Sequence, residues 1–277
     1  MTVEQPMRAL ITGGASGFGL AVTRALLAQG YKVAIGDIVA DRLEEAAKDL
    51  DSPGLITVGL DVTSPASAAA AAETCVREFG GLDVLVNSAG VITLNPLAEI
   101  SEQEWDHVID VDLKGTFLCC QAAAPLICRS PRGRIVNIGS DAAKLGIPLA
   151  PHYCAAKAGV AGLTRSLASE LASHGVTVNC VCPVGVSTTT MGQELLDWKS
   201  EKSGMTSRQV LASTAADIPL KRNATEADIV NAVLFFLSEE SGFLTGSSLD
   251  VDGGLLSTIP VPGGQKRELS ECDQVVT

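Results

Sequence analysis

Aromatic side chains are scarce in this sequence, and their scarcity narrows the fold classes open to it. Phe, Tyr and Trp make up 4% of 277 residues, although 46% of the residues are hydrophobic. Ala, Val, Leu and Gly dominate instead, which suits closely packed helices lying on buried strands. The composition favours an α/β fold over an all-β fold, and the chain is long enough to bury a substantial core.

Basic residues are also in the minority. The sequence contains 20 Lys and Arg residues and 32 Asp and Glu residues, which gives a net charge of −12. An acidic protein repels phosphate backbones and anionic lipid surfaces, so neither nucleic acid nor a membrane is expected as a partner.

Signals for secretion, membrane insertion and metal binding are missing. MTVEQPM has neither a basic start nor an apolar core, and the uncharged stretch 175–193 is interrupted by Asn179 and Pro183. The eight cysteines form no CxxC motif, and no pair of histidines accompanies them. We expect a cytoplasmic protein with reduced thiols, no membrane span and no metal site.

Short β-rich runs alternate with longer helical segments along the chain. This alternation predicts a doubly wound α/β (Rossmann) fold, with a seven-stranded parallel sheet covered by helices on both faces. Ligands bind such sheets beyond the carboxyl ends of the strands. We expect a single domain over 1–255, with these seven strand candidates: MRALIT, YKVAIGD, LITVGLDV, LDVLVNSAG, GRIVNIGS, VTVNCVCP and SSLDVDGG.

Two segments interrupt the alternation. The first, about 187–222, has a mixed charge pattern and the length of a lid-like insert. The second is the C-terminal tail, 256–277, which could be a frayed terminus or could dock on another subunit.

A glycine-rich turn, TGGASGFG, follows the first strand and leads into a helix. Gly13, Gly17 and Gly19 have the spacing GxxxGxG, so backbone N–H groups at the start of the helix can approach a pyrophosphate closely. We predict a dinucleotide site here, with Ser16 and Phe18 as further contacts.

An acidic residue, Asp37, lies 18 residues after Gly19 at the end of the second strand, where it can bind the adenosine ribose. A carboxylate repels a 2′-phosphate and the turn contains no cation, so NAD is favoured over NADP. The other cofactor candidates beyond strands two to four are Ile38, Asp61, Val62, Asn87, Ala89 and Gly90.

Tyr153 and Lys157 are four residues apart in a helical segment, so their side chains share one face. An ammonium about 4 Å from a phenol contributes roughly 4 kcal/mol at an effective dielectric near 20, enough to lower the phenol pKa by up to about 3 units. Such a tyrosine can exchange a proton with an alcohol or ketone. Ser140 can orient the reacting oxygen, whereas His152 points elsewhere and is expected at the surface or in an outer layer around the site.

The ordered motifs TGGASGFG, NSAG, Ser140, YCAAK and VDGG resemble those of the short-chain dehydrogenase/reductase family, classical type, from about Met7 to Gly254. The resemblance implies an NAD(P)-dependent oxidoreductase that forms a homo-oligomer, either a tetramer or a dimer. It also implies that Ser140 binds the substrate oxygen, Tyr153 exchanges its proton, and Lys157 holds the nicotinamide ribose and acts on the tyrosine. Residues that map onto the nicotinamide end are Pro183, Val186 and Thr188.

The sequence departs from the family at Asp112, where the family usually has Asn in a proton relay to the lysine. A carboxylate close to Lys157 would partly cancel the electrostatic effect of the lysine on the phenol, and so raise the pKa of Tyr153. We therefore predict an alkaline-shifted profile for alcohol oxidation. Val184 stands where glycine is usual, and this alters the loop that carries Thr188.

These observations predict an NAD-dependent oxidoreductase acting on a small-molecule secondary alcohol or ketone. Two alternatives remain: a catalytically impaired dinucleotide-binding sensor or scaffold, and an NADP-dependent acyl-chain ketoreductase. No residue identifies the substrate, although Asp141, residues 145–149 and Trp198 are candidates for lining its pocket.

Overall fold

Seven parallel strands form one sheet in the computed structural model, which describes residues 5–257. The strand order is β3-β2-β1-β4-β5-β6-β7, and every pairing is parallel. All seven predicted strands are confirmed. Their bounds are Arg8–Thr12 (β1), Lys32–Asp37 (β2), Leu55–Gly59 (β3), Val84–Asn87 (β4), Arg134–Ile138 (β5), Thr177–Pro183 (β6) and Ser248–Val251 (β7).

Helices cover both faces of the sheet, as the alternating pattern predicts. Their bounds are Gly17–Ala28 (α1), Ala40–Leu50 (α2), Pro65–Phe79 (α3), Glu102–Ile109 (α4), Gly115–Ile127 (α5), Pro151–Leu171 (α6), Thr190–Ser203 (α7), Ser207–Asp217 (α8) and Glu226–Leu237 (α9). Ser101 and Thr225 cap the N-termini of α4 and α9 with their hydroxyl groups. No helix within residues 5–257 has the length and apolarity needed to cross a bilayer.

Two hydrophobic cores lie on opposite faces of the sheet. One packs β1 and β2 residues such as Ile11 and Ile35 against α1, α2 and α9. The other packs their neighbours in sequence, including Leu10, against α3, α5 and α6. Successive residues in a strand point to opposite faces, so continuous apolar strands fill both cores.

The strand order reverses between β1 and β4, and this reversal positions the functional site. The connection from β1 leads to β2 on one side, whereas β4 begins the half of the sheet on the other side. A crevice opens where connections leave in opposite directions, beyond the carboxyl ends of the strands. The glycine-rich turn follows β1, and NSAG ends β4, so both motifs meet at this crevice.

The predicted insert, about 187–222, contains α7 and α8. Its function as a lid stays a prediction. The predicted tail lies outside the described residues, except for Leu256 and Ser257 in a short 3-10 turn.

Candidate active site

A groove of about 530 Å³ runs along the carboxyl edge of the sheet at the crevice. Its walls come from the ends of β1, β2 and β4, from the segment after β3, and from the start of α7. Ten of the predicted cofactor residues line it: Gly13, Ser16, Gly17, Phe18, Asp37, Ile38, Asp61, Val62, Ala89 and Gly90.

The glycine-rich turn has a backbone shape that fits a pyrophosphate. Gly13 and Gly17 have φ values of 61° and 49°, which side-chain-bearing residues rarely adopt. Gly19 does not line the groove, but a Cβ there would collide with the carbonyl oxygen of Gly13, so this glycine permits the tight turn. Ser16 precedes α1 and makes no capping bond with its side chain, which leaves the first N–H groups of the helix available to an anion.

The adenosine end of the groove presents charges of both signs. Asp37 is mostly buried, and its Oδ1 accepts a hydrogen bond from the Val39 N–H at 3.1 Å, so the carboxylate is fixed in place. Arg42 from α2 lines the same groove and forms no ion pair with any residue in 5–257. Arg42 could not be predicted as a site residue, because a lone arginine in an amphipathic helix gives no distinguishing signal.

Thr12 fixes the end of β4 beside the glycine-rich turn. Its Oγ1 accepts hydrogen bonds from the N–H groups of Ser88 and Ala89, both at 3.1 Å. The Asn87 side chain instead turns into the core, where its Nδ2 donates to Asn137 Oδ1 at 2.9 Å. Asn87 therefore supports the sheet, and direct cofactor contact by this residue stays a prediction.

At the predicted nicotinamide end, three consecutive threonines follow β6, and cofactor contact by Thr188 stays a prediction. Thr188 donates from its hydroxyl to Glu226 at 3.1 Å and does not line the groove. Thr189 and Thr190 line it instead, and the Thr189 side chain faces Gly17. Pro183 and Val186 are buried beside this segment without lining the groove, so their contacts with the cofactor stay predictions.

Tyr153 and Lys157 lie in the first two turns of α6, and their side chains share one face as predicted. The Lys157 Nζ is 5.4 Å from the centroid of the Tyr153 ring. Lys157 and Tyr153 are 4% and 7% exposed, so the two groups interact in a largely dehydrated environment. Such an environment strengthens electrostatic effects in both directions.

Asp112 binds Lys157 directly. Its Oδ2 lies 3.1 Å from the Lys157 Nζ, and its Oδ1 accepts a hydrogen bond from the Val91 N–H at 2.8 Å. Lys157 also donates to the carbonyl oxygen of Ile138 at 3.2 Å. Asp112 lies in a π-helical segment, Asp110–Lys114, between α4 and α5; such segments are frequent at functional sites.

The pKa of Tyr153 is set by opposing influences. Burial raises this pKa above its ordinary value, and the Asp112 charge raises it further, while Lys157 and a hydrogen bond with Ser140 lower it. Burial prevails, so the pKa of Tyr153 is raised and the phenol is protonated at neutral pH. Activation of the phenol by Lys157 during the reaction stays a prediction. The charge of Asp112 raises the pKa of Tyr153 and the charge of Lys157 lowers it, which supports the expectation that the two residues have opposing effects on the phenol.

Ser140 follows β5 at the carboxyl edge, close to Tyr153 as predicted. Its hydroxyl donates to Asp141 Oδ1 at 2.8 Å and accepts from the Ala142 N–H at 3.1 Å. The position of Ser140 beside Tyr153 follows from the sequence, its bond with Asp141 depends on the folded loop, and its binding of the substrate oxygen stays a prediction.

His152 is completely buried, which corrects the surface alternative for this residue. Its Nε2 lies 2.6 Å from the hydroxyl oxygen of Thr93, which lines the groove, and 3.6 Å from Glu104 Oε1. The ring also stacks on Trp105. His152 therefore belongs to an outer layer that fixes the loop after β4.

Comparisons with known proteins agree with this architecture. The family model described as enoyl-(acyl carrier protein) reductase matches residues 13–256. The chain is 39% identical over 247 residues to 2-(S)-hydroxypropyl-CoM dehydrogenase 3 of Xanthobacter autotrophicus, covering 88% of this chain and 94% of the relative. It is also 39% identical over 253 residues to the 3-oxoacyl-(acyl-carrier-protein) reductase FabG of Staphylococcus aureus, covering 89% and 97%. The crystal structure of sorbitol-6-phosphate 2-dehydrogenase from Erwinia amylovora is similar with a TM-score of 0.84 and 33% identity, covering 89% of this chain and 98% of the other.

Proposed function

The chain belongs to the short-chain dehydrogenase/reductase family of oxidoreductases, and on that premise we propose that it transfers hydride between NAD(H) and a secondary alcohol or ketone. The observation that carries the proposal is the pairing of Tyr153 and Lys157 on one face of α6, with the Ser140 hydroxyl beside the phenol. These three groups supply a proton donor, a cation and an orienting hydroxyl at the end of a dinucleotide-sized groove.

We assign the proton transfer to Tyr153. In ketone reduction its phenol, which is protonated at neutral pH, donates the proton to the reacting oxygen while that oxygen is held between Tyr153 and Ser140. Lys157 stabilises the phenolate that remains and is the residue proposed to hold the nicotinamide ribose. The bound nicotinamide supplies or accepts the hydride.

Single-turnover mixing tests this assignment. Purified protein is preloaded with NADH and mixed with a panel of neutral ketones, and NADH absorbance is followed in time. Oxidation of NADH by at least one ketone supports the proposal. Binding of NADH without oxidation by any ketone would instead favour a dinucleotide sensor.

A catalytically impaired sensor is therefore the second candidate. The observation that favours it is the Asp112–Lys157 ion pair, because a lysine whose charge is balanced by a carboxylate stabilises a phenolate less effectively. The complete set of Ser140, Tyr153 and Lys157 argues for the enzyme.

The choice of NAD over NADP rests on Asp37, and it gives a prediction for cofactor preference. Wild-type protein is expected to bind NADH more tightly than NADPH, because the Asp37 carboxylate repels a 2′-phosphate. Asp37→Ala should shift the ratio of the two Kd values towards NADPH by about tenfold or more, since Arg42 then faces the phosphate without a competing carboxylate.

Arg42→Ala provides the matched control for this experiment. Added to the Asp37→Ala protein, it should abolish most of the gain in NADPH affinity while leaving NADH affinity similar. A wild-type preference for NADPH would overturn the role of Asp37 and favour the NADP-dependent ketoreductase alternative.

Asp112 gives a prediction for pH dependence. Because its charge raises the pKa of Tyr153, Asp112→Asn should lower the kinetic pKa for alcohol oxidation, by about one unit. The measurement is kcat/KM for oxidation as a function of pH. Asp110→Asn is the control, since Asp110 is on the same segment but pairs with the exposed Lys114 at 3.2 Å. A kinetic pKa that is unchanged or higher in Asp112→Asn would contradict the prediction.

Homo-oligomer formation, as a tetramer or a dimer, and a cytoplasmic location complete the proposal. The first follows from the family. The second is supported by the seven cysteines within residues 5–257, none of which forms a disulfide there.

A further inference from the structure

The buried ion pair between Asp112 and Lys157 lies directly behind the wall of the groove. Gly90 and Val91 line the groove, and the Val91 N–H donates to Asp112 Oδ1 at 2.8 Å. A Cβ atom placed on Gly90 would lie 3.3 Å from Asp112 Oδ2 and 3.4 Å from the Lys157 Nζ. One layer of backbone therefore separates both charges from a ligand that lies against this part of the wall.

The pair is ionic and largely dehydrated. Burial lowers the pKa of Lys157, but its interactions with Asp112 and Tyr153 raise it, and the resulting pKa lies above the ordinary value. Lys157 therefore keeps its proton beside the Asp112 carboxylate. Asp112 is completely buried, so solvent and salt screen its charge less than they screen an exposed carboxylate.

The two redox states of a nicotinamide cofactor differ in charge at one place. The nicotinamide ring of NAD⁺ carries a positive charge and the ring of NADH carries none, whereas the adenosine and the pyrophosphate are the same in both. Lys157 is the residue proposed to hold the nicotinamide ribose, so its ammonium group would repel the ring of NAD⁺ alone. A carboxylate behind the same wall offsets that repulsion.

We propose that Asp112 determines which redox state of the cofactor the protein prefers, by stabilising the charged nicotinamide of NAD⁺ relative to the neutral ring of NADH. The inference rests on the proposed function, which places the nicotinamide beside Lys157. A protein with this preference collects NAD⁺ and releases NADH readily, and both properties favour turnover in the direction of alcohol oxidation.

The distances set the size of the expected effect. A ligand atom in contact with the Gly90 backbone lies within about 9 Å of Asp112 Oδ2. At this distance and an effective dielectric near 20, one unit charge changes an equilibrium constant by about 20-fold, and solvent on the open side of the groove reduces this value. Asp112→Asn should therefore raise the ratio of the Kd for NAD⁺ to the Kd for NADH by about 5- to 20-fold. A tenfold change corresponds to about 30 mV in the potential of the bound two-electron couple.

Equilibrium binding measures this ratio without any turnover. NADH is titrated by its fluorescence and NAD⁺ by displacement of NADH, both at neutral pH, where the Tyr153 phenol is protonated in the wild-type protein. Asparagine keeps the volume of the side chain and an acceptor for the Val91 N–H, so the substitution of Asp112 changes little except charge.

Two further variants separate the charge of the pair from other effects. Asp112→Asn combined with Lys157→Met removes both charges, so the Kd ratio should fall back to the wild-type value or below it, even though both nucleotides bind more weakly. Glu194→Gln removes an exposed carboxylate that lines the groove on α7. Its Kd ratio should stay within about twofold of wild type, because solvent screens an exposed charge.

Three results would overturn the inference and leave the proposed function intact, because none of them concerns hydride transfer. They are an unchanged or lower Kd ratio in Asp112→Asn, a ratio that stays raised in the double variant, and a comparable rise in Glu194→Gln. Failure of the wild-type protein to bind either nucleotide would instead reject the proposed function and the inference with it.

Discussion

Tyr153→Phe is expected to lower kcat/KM for ketone reduction by about 10³-fold, the typical contribution of a positioned general acid. The substitution removes one oxygen atom from a side chain that is 7% exposed, so the packing around the ring is preserved. Steady-state kinetics at saturating NADH measures the effect, and fluorescence titration establishes that NADH still binds.

The chain provides a matched control at its other tyrosine. Tyr31 immediately precedes β2 and therefore lies at the amino end of the sheet, away from the groove. Tyr31→Phe should retain kcat/KM close to the wild-type value. A Tyr153→Phe protein with more than about a tenth of wild-type activity would require another proton donor.

The sheet could be predicted from the sequence because its signals are local. Each strand is a short apolar run bordered by polar or glycine-rich residues. The spacing between consecutive runs is long enough for one helix that covers the sheet. The glycine-rich turn adds a conformational requirement at Gly13 and Gly17, where positive φ angles are observed. Motif order then places Tyr153, Lys157 and Ser140 near the crevice.

The remaining details depend on distances that no spacing rule supplies. In the loop after β6, the Thr189 side chain faces the glycine-rich turn, while the Thr188 hydroxyl donates to Glu226. The four-residue spacing indicates that Lys157 approaches Tyr153, but it does not reveal that burial outweighs the lysine charge. His152 illustrates the same limit, since its burial is set by the loop that carries Thr93.

Asp112 and Lys157 form a buried ion pair, so removal of the lysine is predicted to lower the free energy of unfolding strongly. The side chain of Lys157 is 6% exposed and that of Asp112 is 0% exposed, with 3.1 Å between the charged atoms. Lys157→Met should lower the free energy of unfolding by about 3 kcal/mol or more, because it leaves a buried carboxylate without its cation. Methionine is chosen since its flexible apolar side chain fills most of the vacated space.

Asp112→Asn in the Lys157→Met background should restore most of this lost stability, because the amide oxygen still accepts the Val91 N–H bond without carrying a charge. Activity should stay at least about 100-fold below wild type in both the single and the double variant, since neither contains the cation beside Tyr153. Urea unfolding and steady-state kinetics, measured on the same preparations, separate the two effects. Equal unfolding free energies for the single and double variants would show that Asp112 carries no unpaired charge, whereas recovery of activity in the double variant would show that Lys157 acts only by neutralising Asp112.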